Sequence, residues 1–151
     1  MLVEEILQEL KKKDVEEVLK KYDWKDFESF VEFIFQQHGF ETKRNFRFMR
    51  GKRYEMDILA EREVIICAEC KRWKGWHKTS SLLEAARKHE ERVKEFINTL
   101  KPKKPVILVL ITLTDEGFMK EGCVYIIPVW KLNEFLLNFE TLTDIFLLYP
   151  L

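Results

Sequence analysis

The sequence predicts an α/β domain in which a mixed sheet of four or five strands is flanked by helices. Three observations support this fold class: a helix with an apolar stripe, three strand-like segments joined by short turns, and a continuous apolar run, Val106–Leu113, that follows a second long helix. Together they give the element order α-β-β-β-α-β-β-α. With 151 residues and 46% hydrophobic content, the chain has the size of one domain and enough apolar residues for a core.

Two helical regions precede the first strand. Residues 1–22 are expected to form a helical extension in two pieces, with Asp14 and Glu17 as a capping box at the start of the second piece. The main domain is expected to span residues 23–151. Its first helix begins at Asp23 or Asp26 and ends at Gly39, and its apolar stripe consists of Trp24, Phe27, Phe30, Val31, Ile34 and Phe35.

Three strands follow this helix. Phe40–Met49 and Tyr54–Ala60 are joined by a turn at Arg50-Gly51-Lys52, and a third strand ends at Lys71. The link Glu61-Arg62-Glu63 is short enough to close a hairpin between the second and third strands.

The second half of the domain begins with a polar and aromatic loop over residues 72–78. A long helix then runs from Thr79 or Ser80 to about Leu100, and its expected inner face consists of Leu82, Ala86, His89, Val93, Phe96 and Leu100. Val106–Leu113 is an apolar run rich in β-branched residues, as expected of a central strand that is covered on both faces. The chain continues with a turn at residues 114–117, a short strand Val124–Ile127, a helix Val129–Asn138 and an apolar tail.

The third strand places an acid and a base together at its end. Because side chains alternate between the faces of a strand, Glu69 and Lys71 should share one face. Cys67 should lie on that face too, whereas Ala68 and Cys70 point the other way. The Cys-x-x-Cys spacing therefore does not predict a zinc or redox site, since its two thiols lie on opposite faces.

The second strand repeats this arrangement. Glu55 and Asp57 should share one face and Met56 and Ile58 the other, and the hairpin should bring the acidic face next to Glu69. Carboxylate oxygens are the hard ligands that Mg²⁺ and Mn²⁺ prefer. These residues therefore predict a divalent metal site.

A third acid for this site can come from Glu28 or Glu55. Glu28 lies on the flank of the first helix's apolar stripe, where it either faces the site or is an ordinary solvated acid, and helix geometry alone does not separate the two. Lys71 can position or deprotonate a water molecule and stabilise charge on phosphorus. The alternative for Glu69 and Lys71 is a structural ion-pair cluster on a solvated strand.

This conjunction of elements resembles the PD-(D/E)xK nuclease superfamily, which has the restriction-endonuclease-like fold. The resemblance runs from about Trp24 to Phe135 and is nearest to the Mrr-like restriction endonucleases and the archaeal Holliday junction resolvases. The segments that carry it are Phe27-Glu28 to Gly39-Phe40, Met56-Asp57, Ala68-Glu69-Cys70-Lys71, Val106–Thr114 and Val124–Pro128. Three details differ: the namesake proline is Met56, the Mrr-like Gln-x-Lys is Glu69-x-Lys71, and the glycines of many Mrr-like proteins are replaced by Arg53-Tyr54-Glu55.

The resemblance implies an enzyme, a Mg²⁺- or Mn²⁺-dependent deoxyribonuclease that cuts DNA phosphodiester bonds as a restriction or repair endonuclease. Asp57, Glu69 and Glu28 would bind the metal, and Lys71 would act as the base or position the water. The alternatives are a DNA-binding or structural module of the same fold that does not cut, and a structure-specific junction resolvase.

The charge distribution favours DNA as a partner. The whole chain has 26 basic and 26 acidic residues, but residues 33–105 contain 18 basic and 10 acidic ones. Residues 43–53 contain no acid and six basic residues, which we expect to contact DNA phosphates: Lys43, Arg44, Arg47, Arg50, Lys52 and Arg53. The alternative is an edge hairpin whose charges prevent aggregation. The loop after Lys71 adds three candidate DNA-binding residues, Arg72, Lys74 and Lys78.

Location and assembly are predicted from a few further features. The three cysteines cannot all pair and the N-terminus does not resemble a secretion signal, so a cytoplasmic protein is expected. The longest apolar run, Val106–Leu113, is far shorter than the roughly 20 residues of a membrane span, so no membrane segment is expected. The apolar tail from Leu142 to Leu151 is a candidate interface for a homodimer.

Overall fold

The structure is a computed structural model, and it describes residues 24–71, 79–113 and 119–139. The expected N-terminal helical extension, the loop of residues 72–78, the turn at residues 114–117 and the apolar tail lie outside the described residues.

Three helices and six strands form the described part of the chain. The helices are α1 (Trp24–Gln37), α2 (Thr79–Leu100) and α3 (Val129–Asn138). The strands are β1 (Glu41–Arg50), β2 (Lys52–Glu61), β3 (Ile65–Lys71), β4 (Val106–Thr112), β5 (Met119–Glu121) and β6 (Val124–Pro128). The predicted α/β class is confirmed, with one more strand than expected, because the three residues of β5 are too few to show a strand pattern. None of the helices in these ranges is both long and apolar enough to cross a membrane.

The strands form one mixed sheet in the order β1-β2-β3-β4-β6-β5. The first three strands are antiparallel neighbours, β3, β4 and β6 are parallel, and β5 is antiparallel to β6. The predicted central position of the apolar run is confirmed, since every residue of β4 is buried. Because β3 and β4 are parallel, they end side by side, and the Leu113 amide donates a hydrogen bond to the Lys71 carbonyl at 3.2 Å.

Two apolar layers cover the sheet. On one face, α1 and α3 pack on a core that includes Ala68 and Leu132, and on the other face α2 packs on a core that includes Cys67 and Val93. The alternation predicted for β3 is therefore confirmed. Cys70 packs against the first core, so its thiol and that of Cys67 lie on opposite faces. Burial raises the pKa of both thiols, which keeps them protonated at neutral pH.

The β1-β2 hairpin changes faces part-way along its length. Ile58 packs on the side of α1 and α3, whereas Met56 packs on the side of α2. The prediction that these two residues share a face is therefore wrong. The reason lies at Asn45, opposite Asp57 in the hairpin register, where a left-handed backbone with φ of 52° breaks the regular alternation. The outer half of the hairpin consequently turns toward α2, and Asp57 lies where the change occurs.

Aromatic and ionic contacts hold the outer half of the hairpin on α2. Phe46 and Phe48 make edge-to-face contacts with Phe96, with ring centroids 5.8 and 5.9 Å apart. Near the tip, Arg50 Nε lies 2.8 Å from Glu95 Oε2. These contacts fix the outer half of the hairpin against α2, next to a groove lined by residues 52–55 of the hairpin and by Glu95 of α2.

The ends and inner faces of the helices follow the predictions with one exception. Gly39 adopts a φ of 82° just after α1, the left-handed conformation that commonly terminates a helix. The inner face of α2 is confirmed at His89 and its buried neighbours, but Leu100 is 47% exposed and Ile97 is buried instead. Leu100 is the last residue of α2, and the chain turns away at Lys101, whose φ is 45°, so the final side chain lies beyond the apolar layer.

Candidate active site

Asp57 lies at the point where β2 separates from β3. The last backbone pair between the two strands joins Ile58 and Ala68. Beyond this pair, Asp57 Oδ2 accepts a hydrogen bond from the Cys70 amide at 2.8 Å, so a side chain continues the contact between the strands. This bond fixes the Asp57 carboxylate beside Glu69, the residue that precedes Cys70.

Glu69 points to the α2 side of the sheet and is only 8% exposed. Its Oε2 lies 3.3 Å from Arg92 Nη1 and 3.9 Å from Lys71 Nζ. Its Oε1 is buried and has no donor among the described residues, and Glu69 and Asp57 can share a hydrogen bond only when one of the two carboxyls is protonated. Burial, followed by the charge of Asp57, raises the pKa of Glu69 to about 8. The positive charges of Arg92 and Lys71 therefore offset only part of the negative charge of Asp57 and Glu69.

Lys71 ends β3 on the same face as Glu69, as the alternation of the strand requires. Its side chain is 35% exposed, and the distance of 3.9 Å to Glu69 is that of a loose ion pair. The ammonium group is therefore attracted to the acidic pair and still accessible to solvent or substrate.

Glu28 approaches the site from α1, and it is only 3% exposed. Arg44 Nη2 lies 3.1 Å from Glu28 Oε1, and Arg44 Nη1 contacts Glu32 Oε1 at 3.5 Å and Ser29 Oγ at 3.2 Å. Burial, followed by the charge of Asp57, raises the pKa of Glu28 to about 7. Its burial excludes the alternative of a solvated helix acid.

The other candidate acid, Glu55, contributes to the site only through its charge, as the smallest of the causes that raise the pKa of Glu28. It is exposed, and its Oε1 accepts a hydrogen bond from Arg47 Nε at 2.6 Å. Across residues 24–71, 79–113 and 119–139, no three His, Cys, Asp or Glu side chains are grouped closely enough to hold a metal ion. The structure thus pairs Asp57 with Glu69 and places Glu28 within electrostatic range of Asp57, and a metal-binding role for Glu28 stays a prediction.

Several basic residues of the hairpin are engaged within the protein. Arg44, Arg47 and Arg50 each pair with a glutamate side chain. Lys43 and Lys52 each lie over an aromatic ring of the hairpin, at 5.9 and 5.0 Å from the ring centre. A DNA-binding role for these residues stays a prediction. Three further candidates lie outside the described residues: Arg72, Lys74 and Lys78.

Sequence reasoning missed Arg92, the residue of α2 that pairs with Glu69. The buried His89, one turn earlier, accepts a hydrogen bond from Arg92 Nη1 at its Nδ1 (3.2 Å) and donates from Nε2 to the Cys67 carbonyl (2.9 Å). Burial lowers the pKa of His89 to about 4, which keeps it neutral. The only signal in the sequence was the three-residue spacing of His89 and Arg92, which puts them on adjacent turns of one helix face.

Two open cavities meet on the α2 side of the site. The smaller, of about 310 Å³, is lined by Glu69 and Lys71, and the larger, of about 620 Å³, lies between the outer hairpin and α2 and is lined by Arg53. Lys88 and Arg92 line both cavities. The two cavities therefore form one groove, which leads from the acidic pair along α2; we call it the α2 groove.

Comparison with protein families shows which family has this sequence pattern. The family model Mrr_cat, described as restriction endonuclease, matches residues 19–121, which is more than half of the chain and includes Glu28, Asp57, Glu69 and Lys71. The chain belongs to the Mrr_cat restriction endonuclease family. Membership in this family confirms the predicted restriction-endonuclease-like fold and the resemblance to the Mrr-like branch of the PD-(D/E)xK nucleases.

One solved structure with a similar fold is described as "Crystal Structure of Protein of Unknown Function AF1548". It matches with a TM-score of 0.51 and 22% sequence identity, over 76% of this chain and 65% of that one. The chain thus spans less than two thirds of the length of that protein, and at this identity the match shows the fold alone. No curated protein matches the chain in sequence.

The acidic pair of this nuclease fold suits a divalent cation. The buried Glu69 Oε1 has no donor among the described residues, and burial, followed by the neighbouring charge of Asp57, raises the pKa of Glu69. A cation would relieve both the unsatisfied acceptor and the repulsion. Carboxylate oxygens are the ligands that Mg²⁺ and Mn²⁺ take in proteins. The residues that would hold the ion are Asp57 and Glu69.

Proposed function

We propose that the chain is a metal-dependent endonuclease that hydrolyses DNA phosphodiester bonds with Mg²⁺ or Mn²⁺ as cofactor. The observation that carries this proposal is the pairing of Asp57 with Glu69, whose buried oxygen has no partner among the described residues, beside the accessible ammonium group of Lys71. Membership in the restriction endonuclease family supports DNA as the substrate class.

Asp57 and Glu69 would bind the cation through their carboxylate oxygens. When bound, such a cation lowers the pKa of water and stabilises negative charge on a phosphoryl group. The hydrogen bond from the Cys70 amide orients the Asp57 carboxylate before any ligand binds. Hydrogen bonds that orient a metal-binding side chain contribute substantially to metal affinity.

Lys71 would act on the attacking water and on the phosphate. Its side chain lines the smaller cavity of the α2 groove, next to Glu69. An ammonium group at this place can donate a hydrogen bond to a phosphoryl oxygen and stabilise the charge that develops during attack. After losing a proton, the same nitrogen can take one from the water.

Glu28 would add negative charge near Asp57 and Glu69 from the α1 side of the sheet. Its carboxyl, with a pKa raised to about 7, exchanges its proton near neutral pH, and a cation bound nearby would favour the ionised form. Arg44 holds this carboxyl in place and offsets part of its charge.

The test is a cleavage assay on supercoiled plasmid, plain duplex and a four-way junction, each with Mg²⁺ or Mn²⁺. The wild type should cut at least one substrate, and Lys71→Ala should cut more than about 10²-fold more slowly, the scale of losing one charge-stabilising group. Lys103→Ala, which removes an exposed lysine far from the site, is the control and should cut like the wild type.

The preferred substrate distinguishes the types of nuclease. Preference for the junction would assign a resolvase, and preference for plasmid or duplex would assign a restriction or repair type. A wild type that cuts nothing, or a Lys71→Ala variant that cuts equally well, would refute the nuclease proposal.

A DNA-binding module without cleavage is the second candidate. It is favoured by the Arg92 guanidinium, which lies 3.3 Å from Glu69 Oε2, where its charge can substitute for a cation. Calorimetric titration with Mn²⁺ separates the two candidates. A nuclease should bind the ion in the wild type and lose that binding in Asp57→Ala, whereas a binding module should show no heat that depends on Asp57.

A further inference from the structure

Arg92 is anchored at one nitrogen and open at the others. Its Nη1 contacts both Glu69 Oε2, at 3.3 Å, and His89 Nδ1, at 3.2 Å. A guanidinium group has five N–H donors on three nitrogens. No hydrogen bond to Nη2 or Nε is found within the described part of the chain, and the side chain lines both cavities of the α2 groove. Most of the donor capacity of Arg92 therefore remains available toward the groove.

His89 fixes this anchor through its own hydrogen bonds. The Cys67 carbonyl can only accept, so His89 Nε2 must carry a hydrogen, and a guanidinium can only donate, so Nδ1 must be without one. These two contacts define a single neutral tautomer. Because His89 is fully buried in the sheet-facing side of α2, it holds Arg92 from behind and reduces the entropy lost when Arg92 binds a ligand.

The charges along the α2 groove favour an anion with several phosphates. Lys71 lies at one end, Lys88 and Arg92 at the junction of the cavities, and Lys52 and Arg53 at the other end. Six basic and five acidic side chains line the two cavities, and the acids are partly neutralised, since Glu55 and Glu95 pair with arginines of the hairpin and Glu84 pairs with Arg87. A row of cations next to an acidic metal-binding pair is the arrangement expected for one strand of a nucleic acid.

We propose that Arg92 binds a phosphate of the substrate strand in the α2 groove, next to the bond that is cut, and that His89 positions it for this contact. The inference rests on the proposed nuclease function for its reaction but adds a substrate-contacting residue, a positioning residue and the path of the strand. In this arrangement Nη1 stays on Glu69 and His89, while Nη2 and Nε donate to phosphate oxygens.

The experiment measures DNA binding without cleavage. A fluorescent duplex and a single strand of the same sequence are titrated with full-length protein in EDTA, at several salt concentrations, and followed by anisotropy. Arg92→Gln should weaken binding about 10-fold to 100-fold, the scale of losing hydrogen bonds to a charged group. It should also reduce the slope of log affinity against log salt by about one, as expected for the loss of one phosphate contact.

Two variants separate a substrate contact from a general effect of charge. Lys103→Gln removes an equal charge at an exposed side chain that lines neither cavity of the α2 groove, and it should leave the salt slope unchanged. Arg92→Lys keeps the charge but lacks the fork of donors, so it should restore the salt slope while affinity stays several-fold below that of the wild type.

The role of His89 is tested with two isosteric changes. His89→Asn retains an acceptor near the place of Nδ1, whereas His89→Gln retains the donor to the Cys67 carbonyl and loses the acceptor for Arg92. His89→Asn should therefore bind DNA more tightly than His89→Gln, at equal Tm. If neither variant folds, Arg92→Lys and Arg92→Gln still test the contact.

The results distinguish this inference from the proposed function. If the wild type cuts DNA but Arg92→Gln shares its affinity and salt slope, the nuclease proposal stands and the Arg92 contact is refuted. If the wild type binds without cutting and Arg92→Gln binds weakly, the contact is supported and the nuclease proposal fails. If the wild type binds neither DNA probe, the Arg92 contact is refuted, and if it also cuts no substrate with Mg²⁺ or Mn²⁺, the nuclease proposal fails as well.

Discussion

Glu28 and Glu69 are two buried glutamates that approach Asp57 from opposite faces of the sheet, and each pairs with an arginine. On the α1 side the acid belongs to a helix and its arginine, Arg44, to a strand, and on the α2 side the origins are reversed. The atoms left unpaired also differ. Arg44 Nε, a donor, is buried without a partner among the described residues on the first side, and Glu69 Oε1, an acceptor, is buried without one on the second.

From this difference we expect Glu69 and Glu28 to have different roles. A buried acceptor with no donor attracts a cation, whereas a buried donor does not. Arg44 also contacts Glu32 and Ser29, so Glu28 belongs to a closed structural cluster, while Glu69 faces an open cavity. We therefore expect Glu69 to bind metal directly and Glu28 to support the site from behind.

The largest expected difference between the two sides is in how much each glutamate contributes to the cleavage rate. Glu69→Gln should lower the cleavage rate more than about 10²-fold, because it removes a charged ligand from the reacting centre. Glu28→Gln should lower the rate by about 10-fold, the scale of residues that support metal ligands from behind. Plasmid cleavage rates at saturating Mg²⁺ measure both. Equal losses would show that Glu28 is also a ligand and that the two sides do not differ in task.

The next effect is on stability. Arg44→Ala should destabilise the fold by about 2 kcal/mol, less than the 3–5 kcal/mol of a fully buried pair, because Glu28 can take up a proton when its partner is lost. Chemical denaturation measures the free energy of unfolding. Arg47→Ala, in the same hairpin, breaks an exposed pair and is the control, with an expected cost of about 0–1 kcal/mol. If both variants cost the same, Arg44 does not stabilise the α1 side.

The metal-free protein should lose stability as the pH rises. The pKa values of Glu28 and Glu69 in the folded state, about 7 and about 8, lie above the ordinary value of 4.5. The folded protein therefore holds these protons more tightly than the unfolded chain does. The resulting stability is fully present below about pH 4.5 and is lost as the pH rises through about 7 and about 8.

Thermal unfolding in EDTA across this pH range measures the decline. Glu69→Gln should remove the part of the Tm decline that occurs near pH 8, and Glu28→Gln the part that occurs near pH 7. Mg²⁺ should reduce the decline in the wild type, because a cation stabilises the ionised carboxylates. A Tm that increases with pH between 5 and 8 would contradict the assignment of both raised pKa values.

The smallest effect is expected at Glu55. This side chain is exposed and paired with Arg47. Glu55→Gln should change the cleavage rate less than about three-fold and stability by less than about 1 kcal/mol. The assays described above measure both, and a loss like that of Glu69→Gln would place Glu55 among the metal ligands.

Much of the fold could be predicted because its signals are local. Alternation in β3, the continuous apolar run of β4 and the helical stripe of α2 each follow from a few neighbouring residues. The predictions failed where backbone geometry departs from the regular pattern. Asn45 breaks the alternation that would have put Met56 and Ile58 on one face, and Leu100 extends beyond the layer that its periodicity suggests.

The sequence by itself determined that Glu69 and Lys71 share one face of a strand and that the hairpin brings Asp57 close to them, because alternation and turn length are local properties. Only the tertiary structure decided which charges surround these residues. Arg92, which lies 23 positions after Glu69 in the chain, reaches it from α2, and Glu28 is buried and paired with Arg44 from a different element. Such contacts depend on how elements pack, and no short stretch of sequence contains that information.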